Sequence, residues 1–347
     1  MHLCKLEKGV LMDRIKRYFC LLTIVALVLA SCAKDEEEDI VKKSMSGAVT
    51  FDVPGFVLPR EYVTAVAGGI LSPSSHVFKW SGTHIIKDTL VGKQVTLYFP
   101  DTLGNFTLQA TAFADGYYTS SNSANVSIID TSFNASLSGV VRSGKSVKDQ
   151  RDGHVYSYQT IGSLDWFTQN LAYDGGAAYR NAPVSWGLFG YFYHWDDVTG
   201  GVSARGLGNG PQGLCPEGWK VPTNEDWEDL AKAMNGGEAL PFADDWTKIG
   251  EKASVGAVFM GEKMWPYSPD NEHTNDFGWN ALPMGYTRNN HTEFEAVGDY
   301  GFWWSASEKN SNQAYYRYIY KDLSSFPMNY TSKTDFGASV RCVRIAR

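Results

Sequence analysis

Cys215-Pro216-Glu217-Gly218-Trp219-Lys220-Val221-Pro222-Thr223-Asn224-Glu225-Asp226-Trp227-Glu228-Asp229-Leu230 combines a thiol, two tryptophans, two prolines and a helix start. The Thr223 hydroxyl can accept from the backbone N–H three residues on, and the Asp226 side chain can reach back, the reciprocal pattern of a capping box. Trp227, Leu230, Ala231 and Met234 then recur at i, i+3, i+4 and i+7, which marks one buried face of a short helix. Asn235-Gly236-Gly237 ends it, because Asn and Gly tolerate the left-handed conformation. The stretch carries no obvious chemistry. It reads as the structural hub of a C-terminal domain.

The chain around it has 347 residues, which suggests about two domains. It is 43% apolar and 14% aromatic, enough to bury sizeable cores and to exclude a disordered protein. Many glycines and aromatics, with few long helical runs, point to a β-rich, loop-rich fold. The net charge is −7 and no basic stripe occurs, so nucleic acid is excluded as a partner.

At the amino end, Arg14, Lys16 and Arg17 precede an apolar run from Phe19 to Leu29 that is short for a membrane span. Leu29-Ala30-Ser31-Cys32 resembles a bacterial lipobox, in which Cys32 would be lipidated and become the first mature residue. The alternatives are an ordinary signal peptide or a short anchor helix that contains a cysteine. Residues 1–31 then form the signal peptide, with Met12 as its natural start. Residues 32–45 form an acidic tether containing Lys34-Asp35-Glu36-Glu37-Glu38-Asp39. Lys followed by acids directly behind the cysteine resembles the surface-export signal of Bacteroidetes lipoproteins. The expected location is the outer membrane, lipid-anchored and facing outward. Loss of residues 1–31, with five Lys/Arg and two Asp/Glu, leaves a net charge of −10. Lipid rather than charge must hold such a body on an anionic envelope, and stable anchoring takes more than one acyl chain.

Residues 46–130 alternate. Val49, Phe51 and Val53 share one side of a strand, as do Val91, Val95, Leu97 and Phe99, and Phe106, Leu108, Ala110 and Ala112. Pro54-Gly55, Ser72-Pro73, Pro100-Asp101 and Asp115-Gly116 supply the turns. Short strands at such spacing predict an antiparallel β-sandwich with Trp80 in its core. The stretch Gly92–Tyr118 resembles the Ig-like spacer repeats of bacterial surface proteins. Asp88-Thr89-Leu90 and Asp101-Thr102-Leu103 match the Bacteroidetes O-glycosylation sequon, making Thr89 and Thr102 candidate acceptors. Residues 131–149 read as a linker, to which Leu137 and Val140-Val141 could add a strand.

From residue 150 to 347 a set of blocks follows in order: Asp152–Gly162, Leu164–Leu171, Gly190-Tyr191-Phe192-Tyr193-His194-Trp195, the Cys215 hub, Asn280–Arg288, Phe302–Glu308, Ala314–Tyr318, and Gly337-Ala338-Ser339-Val340-Arg341-Cys342-Val343-Arg344. Together they resemble the Fibrobacter succinogenes major paralogous domain, common in surface lipoproteins of Fibrobacter and Bacteroidetes. More distantly, Val221–Glu228 and the closing Gly337–Val343 are similar to the helix start and last strand of formylglycine-generating enzymes. That similarity implies an α+β C-type-lectin-like fold with its first and last strands paired, and it transfers no function.

Cys215 and Cys342 are the only cysteines after Cys32. In an exported domain such a pair is most simply a disulfide, worth roughly 4–5 kcal/mol on the loop-entropy model. Two free thiols or a reactive nucleophile are the alternatives.

The catalytic inventory is thin. His154, His194, His273 and His291 stand isolated in sequence, without zinc-ligand spacing, and no phosphate loop or nucleophile elbow occurs. Asp226, Glu228 and Asp229 suit a helix start better than a glycosidase pair. Residues 269–276 offer oxygen ligands of the kind calcium takes, without the spacing of a known loop, so calcium is possible and no other cofactor is implied. Aromatic residues are the better clue. Trp166, Trp195, Trp219, Trp227 and Trp304 fall in the blocks and are expected in the core. Trp186, Trp246, Trp265, Tyr267, Trp279 and Trp303 fall in or beside loops. With Asp270 and Asn271, the residues Trp186, Trp265, Tyr267, Trp279 and Trp303 could form a platform on which sugar rings stack.

The expectation is a surface lipoprotein, not an enzyme, presenting a lectin-like domain on an Ig-like spacer for adhesion or glycan capture. A structural envelope or fimbrial-tip component is the alternative. An enzyme on the formylglycine-generating scaffold is the rival class, although the cysteine arrangement of those enzymes has no match here. Cells fed labelled palmitate should incorporate it into the wild-type chain and not into Cys32→Ala; equal labelling of the two would exclude Cys32 as the anchor.

Overall fold

The structure is a computed structural model and describes residues 41–82, 89–129, 137–179, 185–240 and 245–347. Eight strands come first: β1 (Ser46–Asp52), β2 (Phe56–Val57), β3 (Tyr62–Ser72), β4 (Val77–Gly82), β5 (Leu90–Val91), β6 (Gln94–Tyr98), β7 (Gly104–Phe113) and β8 (Ser120–Ile128). They form a three-stranded sheet, β1-β3-β6, and a five-stranded sheet, β2-β8-β7-β4-β5. Period-two sequence does what it should here. Phe106, Leu108, Ala110 and Ala112 of β7 point inward, and meet Val63, Ala65 and Ala67 of β3 in one core. Trp80 is fully buried in that core, its indole donating to the Gly92 carbonyl at 2.9 Å and meeting Phe51 edge-on.

One residue departs from the sequence reading. Val91 does not continue into Val95 but is exposed, because Leu90–Val91 pairs with β4 while Gln94–Tyr98 pairs with β3. The chain changes sheets at Gly92, whose φ of 142° is one that L residues rarely adopt.

In the remainder, β9 (Leu137–Ser138) pairs with β15 (Val258–Phe259), which forms a hairpin with β16 (Glu262–Lys263). The strands β10 (Ser146–Lys148), β11 (Val155–Ile161), β12 (Leu164–Phe167) and β22 (Val343–Ile345) form a four-stranded sheet in that order. Leu137–Ser138 and Ser146–Lys148 of the expected linker therefore pair with strands that follow, where their backbone groups find partners. Residues 131–136 of the expected linker lie outside the described residues. The opening hairpin is closed by the last strand, as expected. Two short ladders, β13 (Ala177–Ala178) with β14 (Tyr191–Phe192) and β17 (Tyr286–Arg288) with β18 (Glu293–Glu295), flank a long meander. That meander is β19 (Tyr300–Asn310), β20 (Gln313–Tyr320) and β21 (Met328–Ser332). The architecture is β-rich with four described helices: α1 (Trp186–Phe189), α2 (Trp195–Thr199), α3 (Asn224–Met234) and α4 (Ile249–Ala253).

Helix α3 has the reciprocal cap read from sequence. Thr223 Oγ1 accepts from the Asp226 N–H at 3.3 Å, and Asp226 Oδ2 accepts from the Thr223 N–H at 2.8 Å. Burial pushes the Asp226 carboxyl up, while the N–H groups of Gly208 and Thr223 pull it back. Trp227, Leu230, Ala231 and Met234 are the buried face. Asn235 takes a right-handed conformation and Gly236 and Gly237 take the positive φ, so the two glycines end the helix. Trp227 packs against Trp166 at 4.8 Å and against Trp279 and Phe326 at 5.7 Å.

Cys215 and Cys342 are disulfide-bonded across 127 residues and lie in the core with Trp195, Trp219 and Trp304. Beside Cys342, Arg341 is 1% exposed, and among the described residues no carboxylate pairs with it. Its guanidinium donates to Asn170 Oδ1 and to the carbonyls of Phe167, Trp279 and Asn280 at 2.5–3.2 Å, and lies over the Trp279 ring at 4.4 Å. Burial pushes it down to about 9, so it remains charged at neutral pH. Arg341→Met would take this donor from the buried carbonyls of Phe167, Trp279 and Asn280 and should cost about 3–5 kcal/mol. Urea unfolding followed by tryptophan fluorescence checks this. Ten of the eleven tryptophans lie beyond residue 150, so the signal reports this unit.

Candidate functional site

The loop tryptophans do not make a platform. Trp265 is 2% exposed, Trp279 0% and Trp303 1%, and Trp246 is likewise buried. Irregular loops have little regular backbone to hold them, and here large rings turned inward supply the core instead. Trp265 donates its indole N–H to the Ala281 carbonyl, and Trp303 donates to Asn170 Oδ1. Trp279 is enclosed by Trp166, Trp227, Trp303 and Phe326. Asn271 is also buried and donates to the Leu323 carbonyl. Only Tyr267, 83% exposed, and Asp270 reach the surface. Trp186 opens α1, and its side chain lies outside the described residues. The block tryptophans Trp166, Trp195, Trp219, Trp227 and Trp304 are in the core as expected.

The oxygen-rich stretch 269–276 is a braced connection. Asn271 Oδ1 faces the His273 N–H, Asn275 Oδ1 accepts from the Asn280 N–H at 2.8 Å, and the His273 ring stacks on Trp265. These two amide oxygens serve the protein's own N–H groups rather than standing open to an ion. Cys32 and its flanking signal and tether lie outside the described residues. Thr89 and Thr102 are described and exposed.

A cleft opens elsewhere, between the outer face of the five-stranded sheet and the later part of the chain, with a volume of about 560 Å³. One wall follows from strand alternation. Residues facing away from the Trp80 core are polar, and Asn105 and Thr107 of β7 pair across the ladder with Ser127 and Asn125 of β8. Ser127 Oγ donates to Asn105 Oδ1 at 2.6 Å, and Thr107 Oγ1 donates to Asn125 Oδ1 at 3.1 Å. These bonds fix a row of amide and hydroxyl groups on a rigid sheet.

The opposite wall is apolar. Phe259, Met260 and Met264 from the β15–β16 hairpin and its exit join Pro283 and Met284, while Glu262 and Lys263 add one exposed charge of each sign. The hairpin turns at Met260-Gly261, both with positive φ, the geometry of a two-residue hairpin turn. Behind it, Phe259 packs edge-on against Phe56 at 5.6 Å and Phe189 at 5.0 Å, with Tyr179 at 5.6 Å from Phe56. This cluster is part of a core shared by Phe56 and Ile129 with Leu137, Leu188 and Leu282, so both walls stand on one buried base. An amphipathic ligand with an apolar face and hydroxyl groups suits it. No sequence signal named this cleft except the alternation that puts Asn105 and Thr107 outward.

The histidines are not all isolated either. His194, capping α2, stacks on His291 at 3.9 Å between ring centroids, with Asp197 beside them. His154 instead contacts Gln169, and His273 contacts Ser254.

A family model described as the Fibrobacter succinogenes major domain matches residues 160–344, more than half of the chain. No curated protein and no solved structure matches it. Among the described residues no helix is long and apolar enough to cross a membrane.

If the loop tryptophans are core, Trp303→Ala should cost about 3–5 kcal/mol, while Tyr267→Ala should change stability by less than about 0.5 kcal/mol. Denaturant midpoints of the two variants check this, and a near-neutral Trp303→Ala would return that residue to the surface.

Proposed function

The chain belongs to the Fibrobacter succinogenes major domain family, and from that membership, which suggests a surface-type protein, we propose a lipid-anchored, outward-facing binding protein that captures glycans in the cleft. Its lipid anchor is Cys32 and its tether is the acidic segment behind it. The first unit acts as an Ig-like β-sandwich spacer, and the second as a C-type-lectin-like module whose opening and closing strands pair. Thr89 and Thr102, both exposed on the spacer, are its candidate O-glycosylation sites.

The observation that carries the binding reading is the composition of the two walls. Amide and hydroxyl groups held in register on β7 and β8 face aromatic and thioether surfaces on the β15–β16 side. A pyranose has this division, with C–H faces that pack on rings and hydroxyl groups that exchange hydrogen bonds. The spacer therefore contributes half of the site. Only an intact two-unit chain would present both walls.

A glycan array probed with the full chain should show retained sugars. Asn105→Ala, Thr107→Ala and Phe259→Ala should each weaken that binding by about tenfold or more, with Tyr267→Ala unchanged. A blank array with folded protein, or binding indifferent to all three cleft variants, would overturn the assignment.

A further inference from the structure

His194, Asp197 and His291 meet on the far side of α2 from the core, in a group with no part in the cleft. His194 is the residue before the first turn of α2 and Asp197 lies three positions on, so one turn of helix brings them together. His194 Nδ1 is 3.5 Å from Asp197 Oδ2. His291 arrives from the loop after β17 in a left-handed conformation, φ 64°, which the Thr287 hydroxyl braces at 2.7 Å from its Nδ1. That bond leaves the other ring nitrogen of His291 for another partner.

Three features set this group apart from an ordinary surface cluster. One ligand atom from each residue lies within 4.8 Å of the other two. A tetrahedral ion with bonds of about 2.0–2.1 Å holds its ligands about 3.4 Å apart. The His194–Asp197 edge, 3.5 Å, is already at that length, and turning the side chains has to close the rest. Second, the His194 side chain is only 12% exposed, so its ring is held in place beside Asp197 rather than free in solvent. Third, the Thr287 hydroxyl engages His291 Nδ1, the kind of contact that orients a ligating imidazole, while the two rings, stacked at 3.9 Å and 18°, would turn apart to bring their in-plane lone pairs onto one ion.

We propose that His194, Asp197 and His291 bind a divalent transition-metal ion of the zinc class. Two imidazoles and one carboxylate suit zinc and its late first-row neighbours, whereas calcium and magnesium need a larger set of oxygen donors. Three protein ligands leave at least one position for water or an outside donor. His291 also lines an open groove of about 770 Å³ with Asp152, Asp174, Tyr191, Asn290 and Thr292, from which that donor can come. The ion would pin α2 to the loop carrying His291, two segments far apart in the chain.

Calorimetric titration of Zn²⁺ into the untagged full chain tests this. One Zn²⁺ should bind per chain and Ca²⁺ none, and Co²⁺ should give the intense visible absorption of a four- or five-coordinate ion. His291→Gln and Asp197→Asn should each lower Zn²⁺ affinity by at least about tenfold, with His154→Gln unchanged. Asp197 is 55% exposed on its side chain, so Asp197→Asn keeps the fold and its result stands even if His291→Gln does not fold. No Zn²⁺ uptake by the wild-type chain, or unchanged affinity in Asp197→Asn, would overturn the site.

Discussion

A guanidinium buried without a carboxylate has to be solvated by something, and in this protein the backbone does it. Arg341 gathers the carbonyls of Phe167, Trp279 and Asn280 and the side-chain oxygen of Asn170 around one charge. The acceptors come from two stretches, the end of β12 with the turn after it (Phe167, Asn170) and Trp279-Asn280, so a single residue ties those two stretches to the strand end that carries it. Asn170 extends the reach, accepting from Trp303 and donating to the Phe189 carbonyl and Ser339. Asn280 extends it again, exchanging hydrogen bonds with both backbone groups of Val141. The disulfide at Cys342 fixes the neighbouring residue to the Cys215 hub. Polar satisfaction and covalent closure therefore meet on one strand end, and a loop-rich unit gains a defined shape from few regular elements.

That arrangement accounts for the aromatic richness. Short strands and short helices bury little on their own, so rings from loops complete the core. Two connected layers result, one around the disulfide with Trp195, Trp219 and Trp304, the other around α3 with Trp166, Trp227, Trp246, Trp279 and Trp303. A tryptophan in a loop has two possible uses, to bind outward or to pack inward. Where the backbone is irregular, packing inward supplies the larger stabilisation.

The features that could act on other molecules lie at junctions. The cleft forms where a sheet face from the first unit meets a hairpin of the second, above a core they share. The histidine pair forms where α2 meets the loop after β17. Much of the fold was legible because its signals are local. The Thr223–Asp226 cap, the buried face of α3 and the alternation of β7 each depend on residues within one element. The candidate sites were less legible. Asn105 and Thr107 could be read as outward-facing, but nothing within β7 says that Phe259 and Met264 will face them. His194 and Asp197 could be read as neighbours on a turn, but not His291 as their partner.

By itself, the sequence determined the β-rich character, the capped helix, the block tryptophans of the core and the family, and it made Cys215–Cys342 the expected disulfide that the structure contains. Periodicity and capping are enforced over a few residues. The tertiary structure alone decided that Trp265, Trp279 and Trp303 turn inward, that Val91 leaves its expected sheet, that Leu137–Ser138 and Ser146–Lys148 pair onward, and that a cleft and a histidine pair exist at all. Those outcomes depend on burial and on which distant backbone groups need partners, quantities fixed only when the whole chain has closed around Arg341.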